Sequence, residues 1–116
     1  MKKVFVNSIS TDGKAGYSAI SGKEKYSDSQ EGLDRYQATY MAIILALTKF
    51  SSPIKIMCDR NIVVKQLNGE MDVRSDNILT YHIDAKRILD GRDVEVVKID
   101  KENNKKSLEY AKKAIK

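Results

Sequence analysis

The sequence predicts an α/β domain: a five-stranded mixed sheet, built from a three-stranded antiparallel meander plus two parallel strands, with helices on both faces. Three observations lead there. Short strand-like runs near the start are separated by the turn signals Asp12-Gly13 and Ser21-Gly22, the pattern of successive hairpins. A helix-forming stretch over about residues 34–50 runs almost directly into the apolar run Ile54-Lys55-Ile56-Met57-Cys58, and a strand, helix, strand order implies a right-handed parallel crossover. At 116 residues, the chain fits one domain with a real core and is too short for two ordinary ones.

Val4, Phe5 and Val6 give the first strand two apolar faces near its start, as expected of a central strand covered on both sides. Residues 10–14 form a turn cluster, residues 15–20 a second strand, and Ser21-Gly22 leads into a third over residues 23–28. In the first helix, Tyr36, Tyr40, Ile43, Ile44, Leu47 and Phe50 recur at spacings of three and four. Residues 41–47 are apolar almost all round, so this helix is expected deep between a sheet and another helix. Pro53 stops it, because proline disfavours helical geometry in the residue before it. A short helix over 61–67 ends at Asn68-Gly69. The next is expected over 75–89, where Ile78, Leu79, Ile83, Lys86 and Leu89 contain an apolar stripe and Asp90-Gly91 closes the helix. Residues 94–99 make the fifth strand, and the last helix, about 104–115, carries Leu108, Ala111 and Ile115 on one face.

Charge is distributed unevenly. Residues 1–25 hold five lysines against Asp12 and Glu24, a balance of +3. Residues 98–116 hold seven lysines against three acids, a balance of +4, and the stretch between them is −2. Basic ends of this kind favour phosphate backbones through counterion release, although lysines also simply keep a small protein dissolved. Apolar residues at 41% and charged residues at 32% exclude a disordered chain. No apolar stretch approaches the roughly 20 residues that cross a bilayer, and the Met-Lys-Lys start enters a strand without a signal-peptide core. The lone Cys58 has no disulfide partner and is expected to be a small buried hydrophobe. A cytoplasmic location is the expectation. There is no Gly-rich phosphate loop, Cys-x-x-Cys pair or nucleophile elbow, and the single histidine, His82, falls in mid-helix, where a surface or partly packed role is expected.

Five strings, in order along the chain, resemble the ribonuclease HI family. Val4-Phe5-Val6-Asn7-Ser8 is similar to a first strand ending in Asp-Gly-Ser, and Ala15-Gly16-Tyr17-Ser18-Ala19-Ile20 to a second strand of the Gly-Tyr-Gly-Ala-Ile type. Ala38-Thr39-Tyr40-Met41-Ala42, with Ala46-Leu47 after it, resembles a helix reading Ala-Glu-Leu-Met-Ala. Cys58-Asp59-Arg60 resembles Thr-Asp-Ser, and residues 104–111 resemble Asn-Lys-Glu-Ala-Asp-x-Leu-Ala. The resemblance covers nearly the whole chain and implies a ribonuclease H-like fold.

It also implies a site. Active members hold two divalent ions with four carboxylates and hydrolyse a phosphodiester; hard Mg²⁺ needs such oxygens, and their charge offsets two dications. The matching positions here are Asn7, Thr39, Asp59 and Leu108. Asn7 offers a neutral oxygen, Thr39 is too short to replace a reaching glutamate, and Leu108 cannot ligate at all. Asp59 is the one carboxylate, so it is a metal ligand at most and two-metal hydrolysis is expected to be lost. Asp12 and Glu109 are the nearest substitutes, but Asp12 lies in a hairpin turn and Glu109 is rotated about 100° round its helix. Asp59 has a plainer explanation too, as a cap for the helix that follows it.

The expected function is therefore a catalytically inactive ribonuclease H-like module that binds nucleic acid, an RNA/DNA hybrid or something related, with Lys14, Lys101, Lys105 and Lys106 as candidate contacts. No cofactor is expected; Mg²⁺ or Mn²⁺ would matter only to residual nuclease activity. Two alternatives stand beside it. One is a protein-interaction or structural domain, with a protein partner or second copy, whose old site is filled in by Leu108. The other is a metal-dependent RNA/DNA hybrid ribonuclease with non-standard ligands.

Overall fold

The computed structural model describes all residues 1–116. Three strands form the meander, β1 (Lys2–Thr11), β2 (Lys14–Ser21) and β3 (Glu24–Glu31). Then follow α1 (Arg35–Lys49), β4 (Ile54–Cys58), α2 (Asn61–Leu67), α3 (Asp76–Leu89), β5 (Val94–Lys98), a 3-10 turn at Lys101–Asn104, and α4 (Lys105–Lys113). Every element expected from the sequence is present, with the first three strands longer than their apolar cores.

The sheet order is β3-β2-β1-β4-β5, so β1 is central as its two apolar faces require. It pairs antiparallel with β2 and parallel with β4, and β4 pairs parallel with β5. The β1–β4 register begins at Lys2↔Ile54 and stops at Phe5↔Met57, whereas β1 continues to Thr11. Asn7 and Ser8 thus lie where β4 has already left β1. A crevice at the carboxyl ends of parallel strands follows, the usual place for a ligand in an open α/β sheet.

α1 starts in a capping box: Asp34 Oδ1 accepts from the Tyr36 and Gln37 amides at 2.9 and 2.8 Å, and Gln37 Oε1 accepts from Asp34 N–H at 2.9 Å. Its far end is closed by Arg92, whose guanidinium donates to Leu47 O, Phe50 O and Ser52 Oγ at 2.6, 2.8 and 2.8 Å. The carbonyls that a helix end leaves without partners are thereby satisfied by a charged donor. α1 buries Ala38, Thr39, Tyr40, Ala42, Ile43, Ala46 and Leu47 against the sheet and against α2 and α3. α4 alone covers the other face, over β1, β2 and β3. Gly16 permits its close approach, since a Cβ there would stand 2.1 Å from Ala111 O. Cys58 is buried as expected, and burial pushes its thiol up to about 11. No helix is long and apolar enough to cross a membrane.

One expectation is corrected in α3. Leu79 and Ile83 are exposed by 40% and 44%, while the face turned to the core carries Ile78, Ala85 and the partly buried Tyr81, His82 and Ile88. The inward face is partly polar because Tyr40, fully buried in α1, needs partners for its hydroxyl. It donates to Gln66 Oε1 at 2.7 Å and meets His82 Nδ1 at 3.0 Å. With the phenolic proton committed to Gln66, Nδ1 is the donor to Tyr40, which fixes the His82 tautomer.

Burial, and then the charge of Lys86, lower the His82 pKa below its ordinary value. A lowered folded-state pKa means that the unfolded chain takes the proton more readily. The His82 contribution is therefore intact above about pH 6.5 and is lost as pH falls below it. Urea midpoints measured at pH 7.5 and 5.5 should drop more for the native chain than for His82→Gln; an equal drop would mean that His82 is not coupled to folding.

Candidate functional site

Asp59 stands at the end of β4, immediately after the last strand residue, Cys58. Its Oδ2 accepts from Asn104 Nδ2 at 3.0 Å and, more weakly, from Asn7 Nδ2 at 3.4 Å. The expected cap does not form: Arg60 occupies the N-cap position of α2, and no side chain caps that helix. Asp59 is turned the other way, toward β1 and the start of α4.

Asn104 is what holds it there. The side chain is 2% exposed, and its amide also donates to Val6 O at 2.8 Å. Its own carbonyl accepts from Asn7 Nδ2 at 3.2 Å and from Ser107 Oγ at 2.9 Å. Asn7 Oδ1 is spent on the amide of Ser8 at 2.8 Å. A residue expected only as the first of the last helix therefore joins β1, β4 and α4 at one point.

The positions implied by the sequence converge. Asn7, Asp59 and Leu108 line one cavity of about 150 Å³, together with Ser8, Arg60 and Lys101. Thr39 lies just behind it, buried in α1, with its Oγ1 2.9 Å from Ser8 Oγ and accepting from Arg60 Nε at 3.0 Å. Leu108 is half-buried and borders the cavity. Glu109 is exposed one step round α4, and Asp12 is exposed in the β1–β2 turn; neither lines the cavity.

The donor set does not fit a pair of divalent ions. No group of three or more His, Cys, Asp or Glu side chains is placed to hold a metal anywhere in the chain. Asp59 is the single carboxylate in the lining, with one oxygen already taken by two amides, and oxygen-seeking Mg²⁺ requires six ligands near 2.0–2.1 Å.

The lining instead carries two cations against one anion. The three ion pairs of the protein are Lys2–Glu24, Lys55–Glu95 and Arg87–Asp84, so Arg60 and Lys101 have no carboxylate partner. Arg60 was visible in the sequence only as the residue after Asp59; its position follows from Thr39 and from the Tyr36 ring, 5.5 Å from the guanidinium. Of the other candidate lysines, Lys106 borders a neighbouring cavity of about 260 Å³ with Phe5, Ile20 and Asn103, while Lys105 and Lys14 are exposed and line neither. Two larger depressions, about 650 and 550 Å³, flank the segment after α2 and share no lining residue with the Asp59 cavity.

No family model matches the chain, and no curated protein matches it. Solved structures do. The chain is similar to LC11-RNase H1, whose structure is of a complex with RNA/DNA hybrid, with a TM-score of 0.88 at 16% identity over 99% of this chain and 96% of that one. It is similar to RNase H1 of the halophilic archaeon Halobacterium salinarum, with a TM-score of 0.84 at 22% identity over 98% and 96%. The N-terminal RNase H domain of a Mycobacterium tuberculosis protein gives 0.86 at 18% identity over 99% and 94%. The fold is that of ribonuclease H.

Asn104→Asp tests the junction. It sets a second carboxylate about 3.0 Å from Asp59 Oδ2 and takes the donor from Val6 O. Stability at pH 7 should fall by about 3 kcal/mol. The two acids then share a proton that the unfolded chain holds less tightly, so part of the loss should return as pH is lowered. Denaturant unfolding at pH 7 and pH 4.5 measures both effects.

Proposed function

We propose that this chain is a nucleic-acid-binding module on the ribonuclease H fold, one that holds a phosphate backbone without hydrolysing it. The observation that carries the proposal is the charge at the cavity below the carboxyl end of β4: one carboxylate, Asp59, already engaged by two amides, and two cations, Arg60 and Lys101, in no ion pair. Two-metal hydrolysis needs a site that gathers positive ions. This lining attracts anions.

The neighbour described in complex with RNA/DNA hybrid supports a hybrid as the substrate class. The lysine-rich ends of the sequence add a longer-range attraction, because residues 98–116 include both the Lys101 turn and α4, and Lys25 of β3 and Lys113 both approach the Tyr110 ring. Binding of this kind is tolerant of sequence and steep in salt.

A protein-interaction role has one observation of its own, the exposed Leu79 and Ile83 on α3. It would appear as a dimer or partner complex formed without nucleic acid. A ribonuclease with unorthodox ligands would need a second acid at the cavity, and neither Asp12 nor Glu109 lines it.

The experiment is a titration of labelled RNA/DNA hybrid in EDTA, repeated across salt concentrations and with Mg²⁺ or Mn²⁺ added. Micromolar binding in EDTA is expected; if about three phosphates are engaged, it should weaken on the order of 40-fold between 50 and 200 mM salt. No cleavage is expected with either metal. Absence of binding at tens of micromolar protein, or metal-dependent cleavage lost in Asp59→Asn, would overturn the proposal.

A further inference from the structure

The geometry points to a metal-free phosphate site in the Asp59 cavity, in which Arg60 and Lys101 meet the phosphate oxygens directly. It rests on the reading of the chain as a nucleic-acid-binding module and says where on the molecule one backbone phosphate sits. In active enzymes of this fold, as the sequence resemblance implies, carboxylates gather dications and the dications contact the phosphate. Here the positive charge belongs to the protein itself.

Arg60 is prepared for the task. Its Nε is spent on Thr39 Oγ1 at 3.0 Å, and its guanidinium lies 5.5 Å from the Tyr36 ring centroid, while Arg35 approaches the same ring at 5.2 Å. These contacts fix the plane of the group and leave both terminal nitrogens without a hydrogen-bond partner in the protein. A guanidinium held this way presents parallel donors that match two oxygens of a phosphate. Because its orientation is set before binding, little side-chain entropy remains to be lost. Lys101 supplies a second, more mobile charge from the rim, being exposed and free of any ion pair.

Asp59 opposes the ligand, and that opposition makes the site testable by sign. In a metal-dependent site Asp59→Asn removes a ligand and weakens phosphate binding. In a site built on Arg60 and Lys101, it removes a repulsion and strengthens it. The substitution is conservative here: the asparagine oxygen can accept from Asn7 and Asn104 as Oδ2 does, and its new amide takes the place of Oδ1, which accepts no hydrogen bond within the protein.

The test is an NMR titration with inorganic phosphate in EDTA, following the Arg60 Nε–H and the Asn7 and Asn104 side-chain amides, run beside the hybrid titration on the same proteins. Saturable shifts at these groups are expected in the native chain. Asp59→Asn should tighten phosphate binding about threefold to tenfold, and Lys101→Ala, a change on the exposed rim, should weaken it by a similar factor, as expected for one unit charge a few ångströms away near solvent. Unmoved signals, or weaker binding in Asp59→Asn, would overturn the site. Hybrid binding without any response to phosphate or to these two variants would sink the phosphate site and leave the module reading standing. Phosphate binding without hybrid binding would keep the site and remove its nucleic-acid role.

Discussion

Asn104 is the constraint on which the rest of the site depends. It is a buried amide whose two protons go to Val6 O and Asp59 Oδ2, and whose backbone carbonyl receives Asn7 and Ser107. A buried amide left without partners costs about 1–3 kcal/mol per group, so these bonds are obligatory and their geometry is shared. They tie the middle of β1, the end of β4 and the first turn of α4 together. α4 can reach this position because Gly16 lets its Ala111 carbonyl lie against β2, and Ser18 Oγ donates to Ser107 O beside it. The last helix is thereby set at one height over the sheet, and that height is what brings Leu108 and Lys101 to the cavity.

With that frame fixed, the chemistry of the cavity follows from charge. Four carboxylates around the same point would repel one another strongly and need dications to be stable together. With Asn7 and Leu108 beside Asp59 and Thr39 behind them, the cavity carries no such repulsion, and its polar groups are bonded to one another. Asn7 and Asn104 neutralise one oxygen of Asp59 by donation, while Arg60 turns to Thr39. No buried side-chain nitrogen or oxygen lacks a hydrogen-bond partner.

The fold was legible in the sequence because its signals are local. Turn pairs such as Asp12-Gly13, the apolar run 54–58, and the three- and four-residue spacing of apolar residues from Tyr36 to Phe50 each declare an element without knowledge of the rest. The convergence of Asn7, Thr39, Asp59 and Leu108 was legible only through the family resemblance, since nothing in their spacing announces it. Three features escaped. Asp59 looked like a helix cap because it precedes α2, yet Asn104, some 45 residues later, competes for it and wins. α3 looked as if Leu79 and Ile83 faced inward, but periodicity counts apolar residues and cannot register that Tyr40 requires His82 and Gln66 on the buried side. Arg60 carried no signal at all, because its placement is set by Thr39 and Tyr36 on a different element.

Asp59 is held by the side-chain amides of Asn7 and Asn104, and the proposed function gives it no metal to bind. Paramagnetic Mn²⁺ reports on this directly, since a bound ion broadens the NMR signals of the groups nearest to it. Titrated with Mn²⁺ at low millimolar concentration, the protein should keep sharp side-chain amide signals for Asn7 and Asn104, with any broadening scattered over exposed acids such as Glu70 and Asp84. Selective, saturable broadening of those two amides would show an ion seated at Asp59 and contradict the account.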